Sequence, residues 1–405
     1  MSDELEFPKL RPLEQVQVGV RRGMVALRDP TEMAEGLLTL AGPTIFVVSL
    51  MDGRHSRLDI QAEYMRRFGE MLFSQDLDEL INRLDQARFL DGPSLRAHRE
   101  TLAAQYRKAD VRRLRGATLA PPDVDLDAYL DEMLGSVEPS TERIAGMIAP
   151  HLDYQRGAPC YAPAYRGLAE RTDATRFVIL GTNHFGNSTA VVGTRKDFET
   201  PWGAVAHDAE FMRALDARCD ADLCEQELDH AREHSIELQV VLLKKVLGDR
   251  PFRIAPYLCP DLCGASETQP RSALRVGLRD FARALGDLLA EDPTPTCIVA
   301  GADLSHVGRF FGDRRALSEA YLDEVREFDQ NVAAMIGTGE PERFRETIVS
   351  RDNWSRICGA GAIYVLATAL LGRATPKLRR YHQAVTAEAD NCVTCIAMDF
   401  VEREA

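Results

Sequence analysis

From about residue 142 onward, short apolar runs alternate with longer amphipathic stretches. GMIAP (Gly146–Pro150), RFVILG (Arg176–Gly181), FRIAPYL (Phe252–Leu258) and CIVAGADL (Cys297–Leu304) are nearly continuous in apolar residues and read as buried strands. Helix-spaced stretches lie between and after them: Pro159–Arg171, Asp208–Arg218, Ser235–Leu247, Arg271–Leu289, Arg315–Ile336 and Ala360–Leu371. Apolar strands separated by amphipathic helices predict an α/β domain whose sheet is covered on both faces. Two late runs, Arg379–Val385 and Cys392–Phe400, predict strands at a sheet edge, in antiparallel sense.

The first hundred residues follow another pattern. GMVALRDP (Gly23–Pro30) reads as a strand ending in an Asp-Pro turn. TIFVVSLM (Thr44–Met51) is a buried strand or helix, and periodicity does not decide between them. Ser56 with Asp59 three residues on forms a near capping box and opens a helix over Ser56–Phe68, with Gly69 as its stop. Asp76–Leu90 is a second amphipathic helix, ended by Asp91-Gly92-Pro93. Strands followed by two short helices predict a small winged-helix-like module over residues 1–95. An Arg-rich linker helix is expected over 96–111, and the α/β domain over 112–405.

Composition narrows the classes. The 405 residues carry 49 Lys and Arg against 63 Asp and Glu, a formal net charge of −14. Such a chain has no bulk attraction to nucleic acid or to an anionic membrane. The longest apolar stretch, residues 37–51, is broken by Gly42 and Pro43 and is too short to span a bilayer. The N-terminus MSDELEFPKL lacks an apolar leader, and nine cysteines make an odd, dispersed set. A soluble cytoplasmic protein without a disulfide framework is the expectation.

The histidines carry the chemistry. His151, His184 and His306 each lie just past the C-terminal end of a different predicted strand, where open α/β sheets form ligand sites. Three imidazoles at equivalent ends can converge on a metal ion and leave positions open for substrate. Asp303 lies three residues before His306, as a carboxylate ligand or as a group that orients one. His234 stands at the start of a helix between Glu233 and Glu237 and is a candidate acid/base. His230 lies four residues earlier, so chelation by a His-x-x-x-His pair is open. Asp153 and Tyr154 line the turn after the first strand, to contact substrate or only to shape the turn. Cys392 and Cys395 sit three apart on a predicted strand and point to opposite faces, so they, like Cys259 and Cys263, read as core thiols. No Walker loop, dinucleotide fingerprint or nucleophile elbow is present.

Six ordered blocks resemble the MEMO family: APHLDYQRGAPCYAPAY (Ala149–Tyr165), LGTNHFG (Leu180–Gly186), FETPWGAVAHD (Phe198–Asp208), EHSIELQ (Glu233–Gln239), GADLSHVG (Gly301–Gly308) and ICGAGAI (Ile357–Ile363). Bacterial and archaeal members of that family are called AmmeMemoRadiSam system protein B. The name reflects co-occurrence with a radical-SAM protein and an AMMECR1-like protein, which the resemblance makes expected partners. It implies a mixed α/β sheet flanked by helices, similar to class III extradiol dioxygenases, and a non-haem iron or copper site. The implied ligands are His151 and His184, with His234 in the catalytic position. The third ligand of eukaryotic relatives is a cysteine, and by motif position its place falls on Ser305 here. His306 or Asp303 would then complete the set.

LMDGRHSRLDIQAEY (Leu50–Tyr64) resembles the signature of PqqD-like peptide-recognition domains, which implies a peptide ligand; a generic winged helix used for packing is the alternative. Two functions are therefore carried forward. One is a metal-dependent oxidoreductase of dioxygenase type. The other is an accessory protein without turnover of its own, holding metal or recruiting a peptide for a radical-SAM partner.

Overall fold

A computed structural model describes residues 3–403, apart from 17–22, 35, 117–118, 122, 187, 264–275 and 389. The chain divides into two compact units, Met1–Lys108 and Ala109–Ala405.

In the first unit, β1 (Glu14–Val16), β2 (Met24–Arg28) and β3 (Leu37–Ala41) form an antiparallel sheet of their own in the order β1-β2-β3. Four helices follow: α1 (Pro43–Ser49), α2 (Arg57–Phe68), α3 (Ser74–Gln86) and α4 (Pro93–Arg107). The undecided run Thr44–Met51 is thus mostly helix, with Pro43 in the first turn, where its missing N–H costs nothing. Ser56 caps α2 through a complete capping box with Asp59, and Gly69 ends it in the left-handed region at φ 72°. Val48, Ile60, Leu77, Ile81 and Leu90 meet in this unit's core. The expected linker helix corresponds to α4, which falls inside the first unit and buries Leu95.

The second unit opens with β4 (Val111–Arg112), α5 (Leu126–Gly135), β5 (Ile144–Ala149), α6 (Tyr154–Tyr165) and α7 (Leu168–Arg171). Then come β6 (Arg176–Thr182), β7 (Val192–Gly193), β8 (Asp197–Thr200), β9 (Gly203–Val205), α8 (Ala209–Cys219) and α9 (Ser235–Leu247). They are followed by β10 (Arg253–Cys259), α10 (Leu278–Glu291), β11 (Thr296–Gly301) and β12 (Asp303–Gly308). Helices α11 (Glu319–Gly337), α12 (Pro341–Val349) and α13 (Ala360–Ala369) precede the hairpin β13 (Ala374–Val385) and β14 (Asn391–Glu402).

The main sheet runs β12-β14-β5-β11-β6-β10-β7, with β13 also paired to β14; β4, β8 and β9 make a small separate sheet. Strands β5, β11, β6 and β10 are parallel to one another, while β14 runs antiparallel to β5 and β7 antiparallel to β10. The fold is a mixed α/β sheet flanked by helices. Alternation along the strands explains why both faces are apolar. Phe177, Ile179, Cys297 and Val299 face one layer with α6 and α9. Val178, Leu180, Ile298 and Ala300 face the other with α10 and α13.

Two expectations change. The single run CIVAGADL divides at Ala302: β11 pairs with β5 as far as Gly301 opposite Ala149, and β12 then pairs with β14. The chain steps past the end of β5, and His306 lies within an edge strand rather than beyond one. The late hairpin is antiparallel as predicted, but only β13 is an edge, because β14 pairs with β13 along one side and with β12 and β5 in succession along the other.

Candidate metal centre

The C-terminal ends of β5 and β6 and the step from β11 to β12 form one shelf. Two helix N-termini, of α9 and α13, point into it. Both approach closely because glycine leaves room. A Cβ on Gly301 would lie 2.6 Å from the Ser235 carbonyl oxygen, and one on Gly359 would lie 2.4 Å from the Ala302 Cβ.

His151 leaves β5 into this shelf. Its backbone N–H and that of Leu152 donate to Asp303 Oδ1 at 3.0 and 3.3 Å. Its ring Nδ1 donates to the Gly301 carbonyl at 2.8 Å, which turns Nε2 towards the centre of the cluster. His184 leaves β6. Its Nδ1 lies 3.1 Å from Glu233 Oε1, and its backbone N–H donates to Glu233 Oε2 at 2.9 Å. Glu233 is buried and also accepts from the backbone N–H groups of His234 and Ser235, both at 2.9 Å. A carboxylate so engaged orients histidines rather than ligating a metal itself. His184 Nε2 is thereby the nitrogen turned towards Cys358.

A third candidate donor is one the sequence reading missed. Cys358, at the N-terminal entry of α13, has its Sγ 3.2 Å from His151 Nε2 and 3.9 Å from His306 Nε2. One ligand atom from each of His151, His184 and Cys358 lies within 4.8 Å of the other two. Neighbouring ligands of a tetrahedral site stand about 3.3 to 3.8 Å apart, so small side-chain rotations suffice to gather all three on one ion. His184, Glu233 and His234 meet the same spacing. The only sequence signal for Cys358 was its place in ICGAGAI, immediately before a glycine-rich helix start.

The charges agree with this donor set. Burial alone would raise the Cys358 thiol, but the His151 and His306 imidazoles outweigh it and hold the thiol well below its usual range. The N-terminus of α13 acts in the same direction. Burial opposes a proton on His151, yet Asp303 and the Cys358 thiolate raise it to about 9. His184 is likewise raised, against burial, chiefly by Glu233. His234 behaves oppositely: burial, reinforced by the neighbouring imidazoles, pushes it to about 4 despite Glu233, so it is neutral at pH 7. Its ring stacks on His184 at 5.2 Å between centroids, and 29% of its side chain is exposed. His184 is 25% exposed, whereas His151 is 3% exposed. The cluster is therefore anchored from below and open on the His184–His234 side.

The structure thus brings together His151, His184, His234, His306 and Asp303. Asp303 is buried, with Oδ2 3.6 Å from His151 Nε2, and burial raises its carboxyl. His306 stands behind Cys358, its Nδ1 3.0 Å from the Leu304 carbonyl, outside the triplet of ligand atoms. Ser305 is a correction: it points away, its Oγ donating to Asp329 at 2.6 Å and lying 2.8 Å from Ser355 Oγ. Neighbouring positions on a strand face opposite sides, so Ser305 and His306 serve different networks. His230 leaves the site too, its Nε2 donating to the Val192 carbonyl at 2.9 Å. Asp153 caps α6, and the buried Tyr154 hydroxyl donates to the Leu238 carbonyl, so neither faces the cluster.

A family model described as Memo-like protein matches residues 114–398. A MEMO1 family protein of Aquifex aeolicus is 27% identical over 386 residues, covering 92% of this chain and 95% of its own length. That alignment is longer than the second unit, so it takes in part of the first. A MEMO1 family protein of Thermus thermophilus is 26% identical, covering 72% of this chain and 83% of its own length. The protein memo-1 homolog of Caenorhabditis elegans is 25% identical over 60% of this chain and 66% of its own length.

Proposed function

The chain belongs to the Memo-like protein family, and on that premise we propose that its second unit is a metal-dependent oxidoreductase of dioxygenase-like type. The observation that carries the reading is the convergence of the His151 and His184 imidazoles with the Cys358 thiolate, beside a neutral and partly exposed His234. The donor set fits a first-row metal: two imidazoles whose other nitrogens are committed to Gly301 and Glu233, and a thiol already biased to its anion. Iron or copper held there would supply the one-electron chemistry that these side chains lack. His151 and Cys358 anchor the buried side, and His184 faces the opening. His234 starts as a proton acceptor and can take a proton from a substrate hydroxyl that reaches the open side. Asp303, with its raised carboxyl beside His151, is a second proton-handling group on the closed side.

Metal analysis of protein purified without oxygen tests this. About one iron or copper per chain is expected, with loss on His184→Ala and on Cys358→Ala while the fold persists. His234→Ala should retain the metal and lose turnover. A full complement of zinc in the parent would overturn the redox reading, because zinc has no accessible second oxidation state.

A further inference from the structure

Behind the cluster lies a buried carboxylate that the proposed function does not use. Asp329, on α11, is fully buried and forms no ion pair among the described residues; the nearby His306 imidazole is the positive group that acts on it. It accepts three hydroxyls instead: Ser305 at 2.6 Å on Oδ1, and Thr394 at 2.6 Å and Tyr381 at 3.0 Å on Oδ2. These come from β12, β14 and β13. A buried carboxylate without an ion-pair partner is costly and persists where hydrogen bonds hold it. Burial raises this one to about 6 against those three bonds.

The network reaches the loop that carries Cys358. Ser305 has one proton and gives it to Asp329, so Ser355 is the donor across the 2.8 Å Ser305–Ser355 contact. Ser355 in turn accepts the His306 backbone N–H on its carbonyl at 2.7 Å. The next residue, Arg356, donates from Nε to the His306 carbonyl at 3.0 Å and reaches Asp313. The loop is held partly by its own bonds: Asn353 Oδ1 accepts the Ile357 N–H at 2.8 Å, and Asn353 Nδ2 donates to the Ile357 carbonyl at 3.1 Å. Asp352, Asn353 and Arg356 all sit in the left-handed region, at φ 51°, 44° and 58°, which is unfavourable for residues with a Cβ. Groups outside the loop add to those bonds: Thr182 Oγ1 donates to the Cys358 carbonyl at 3.2 Å, the Gly359 N–H donates to the Asp303 carbonyl at 3.3 Å, and Asp329 with Ser305 grips the loop at Ser355.

We infer that Asp329 is a positioning residue for the metal centre: through Ser305 and Ser355 it sets where the Cys358 sulfur stands relative to His151 and His306. This rests on the metal reading above. The Ser305 side chain, expected from sequence to be a ligand, acts on the site through the loop instead.

Cobalt(II) is a suitable probe, since a cysteine ligand gives a near-ultraviolet thiolate-to-cobalt charge-transfer band. Asp329→Asn and Ser305→Ala should each weaken cobalt binding to the full-length protein, by about 10-fold at the low end of the usual effect of removing a supporting hydrogen bond. Both should shift the band. Tyr381→Phe, which frees only the Oδ2 side away from the Cys358 loop, should leave the band in place. If Asp329→Asn does not fold, Ser305→Ala decides alone. Variants that melt at lower temperature yet bind cobalt with the parent's affinity and band would make Asp329 merely structural and overturn the inference. A parent that binds cobalt without a thiolate band would overturn it too, by removing Cys358 from the metal. A parent that binds no cobalt would sink the metal reading and this inference together, a result distinct from unchanged variants.

Discussion

His230 and His234 are four residues apart, yet they have opposite fates. The spacing suggests one helical face, but a short 3-10 turn, Glu227–Ala231, carries His230 and ends before α9 begins. His230 is consequently directed into the core, where burial pushes it to about 4 although its Nε2 donates to Val192. Arg112 nearby lowers it further, and Glu233 opposes. A histidine that is neutral when folded but titrates near 6.5 when unfolded favours folding fully above pH 6.5. That contribution is lost as pH falls from 6.5 towards 4, by about 2 kcal/mol at pH 5. His230→Gln keeps a donor and removes the titration. Urea unfolding at pH 7 and pH 5 should show a smaller acid loss in this variant than in the parent. An equal loss in both would mean that the buried imidazole does not set the acid limit.

At the scale of elements, the apolar strands and α9 were legible because their signal is local: continuous apolar runs for β5, β6 and β10, and a helix-spaced run for α9. The division of CIVAGADL was not, since it depends on β12 finding β14 some ninety residues away. For the same reason Ser305 was misplaced and Cys358 overlooked, as neither position shows in its own segment which strand or loop it will face. His151 and His184 were legible because strand ends in a parallel sheet have one address. A further long-range tie is the buried pair between Arg112 and Glu237. Glu237 also accepts the backbone N–H groups of Arg115 at 2.9 Å and Gly116 at 3.1 Å, so it pins the entry segment of the second unit onto α9. Arg112 donates besides to the His230 and Glu233 carbonyls, which brings the same pin to the residues behind His184. Glu237→Gln leaves a buried guanidinium without a counter-charge and should cost about 3–5 kcal/mol, read as a lower urea midpoint. Less than about 1 kcal/mol would show that Arg112 finds water in the variant.

At the scale of the whole molecule, the question is which unit holds the chemistry. Each unit has its own apolar core, and the three-stranded sheet of the first is separate from the eight-stranded sheet of the second. Every residue assigned to the metal lies after residue 109, as do their supports Gly301, Glu233 and Asp329. The polar anchor at the boundary also begins there, with Arg112 in β4. A fragment spanning 109–405 should therefore bind the same metal, one for one and with unchanged affinity, as the full chain. The first unit is then free for a separate task. Binding of metal to the 109–405 fragment is measurable by metal analysis after gel filtration. A fragment that stays folded by circular dichroism yet binds at least 10-fold more weakly would show that the first unit contributes to the metal centre.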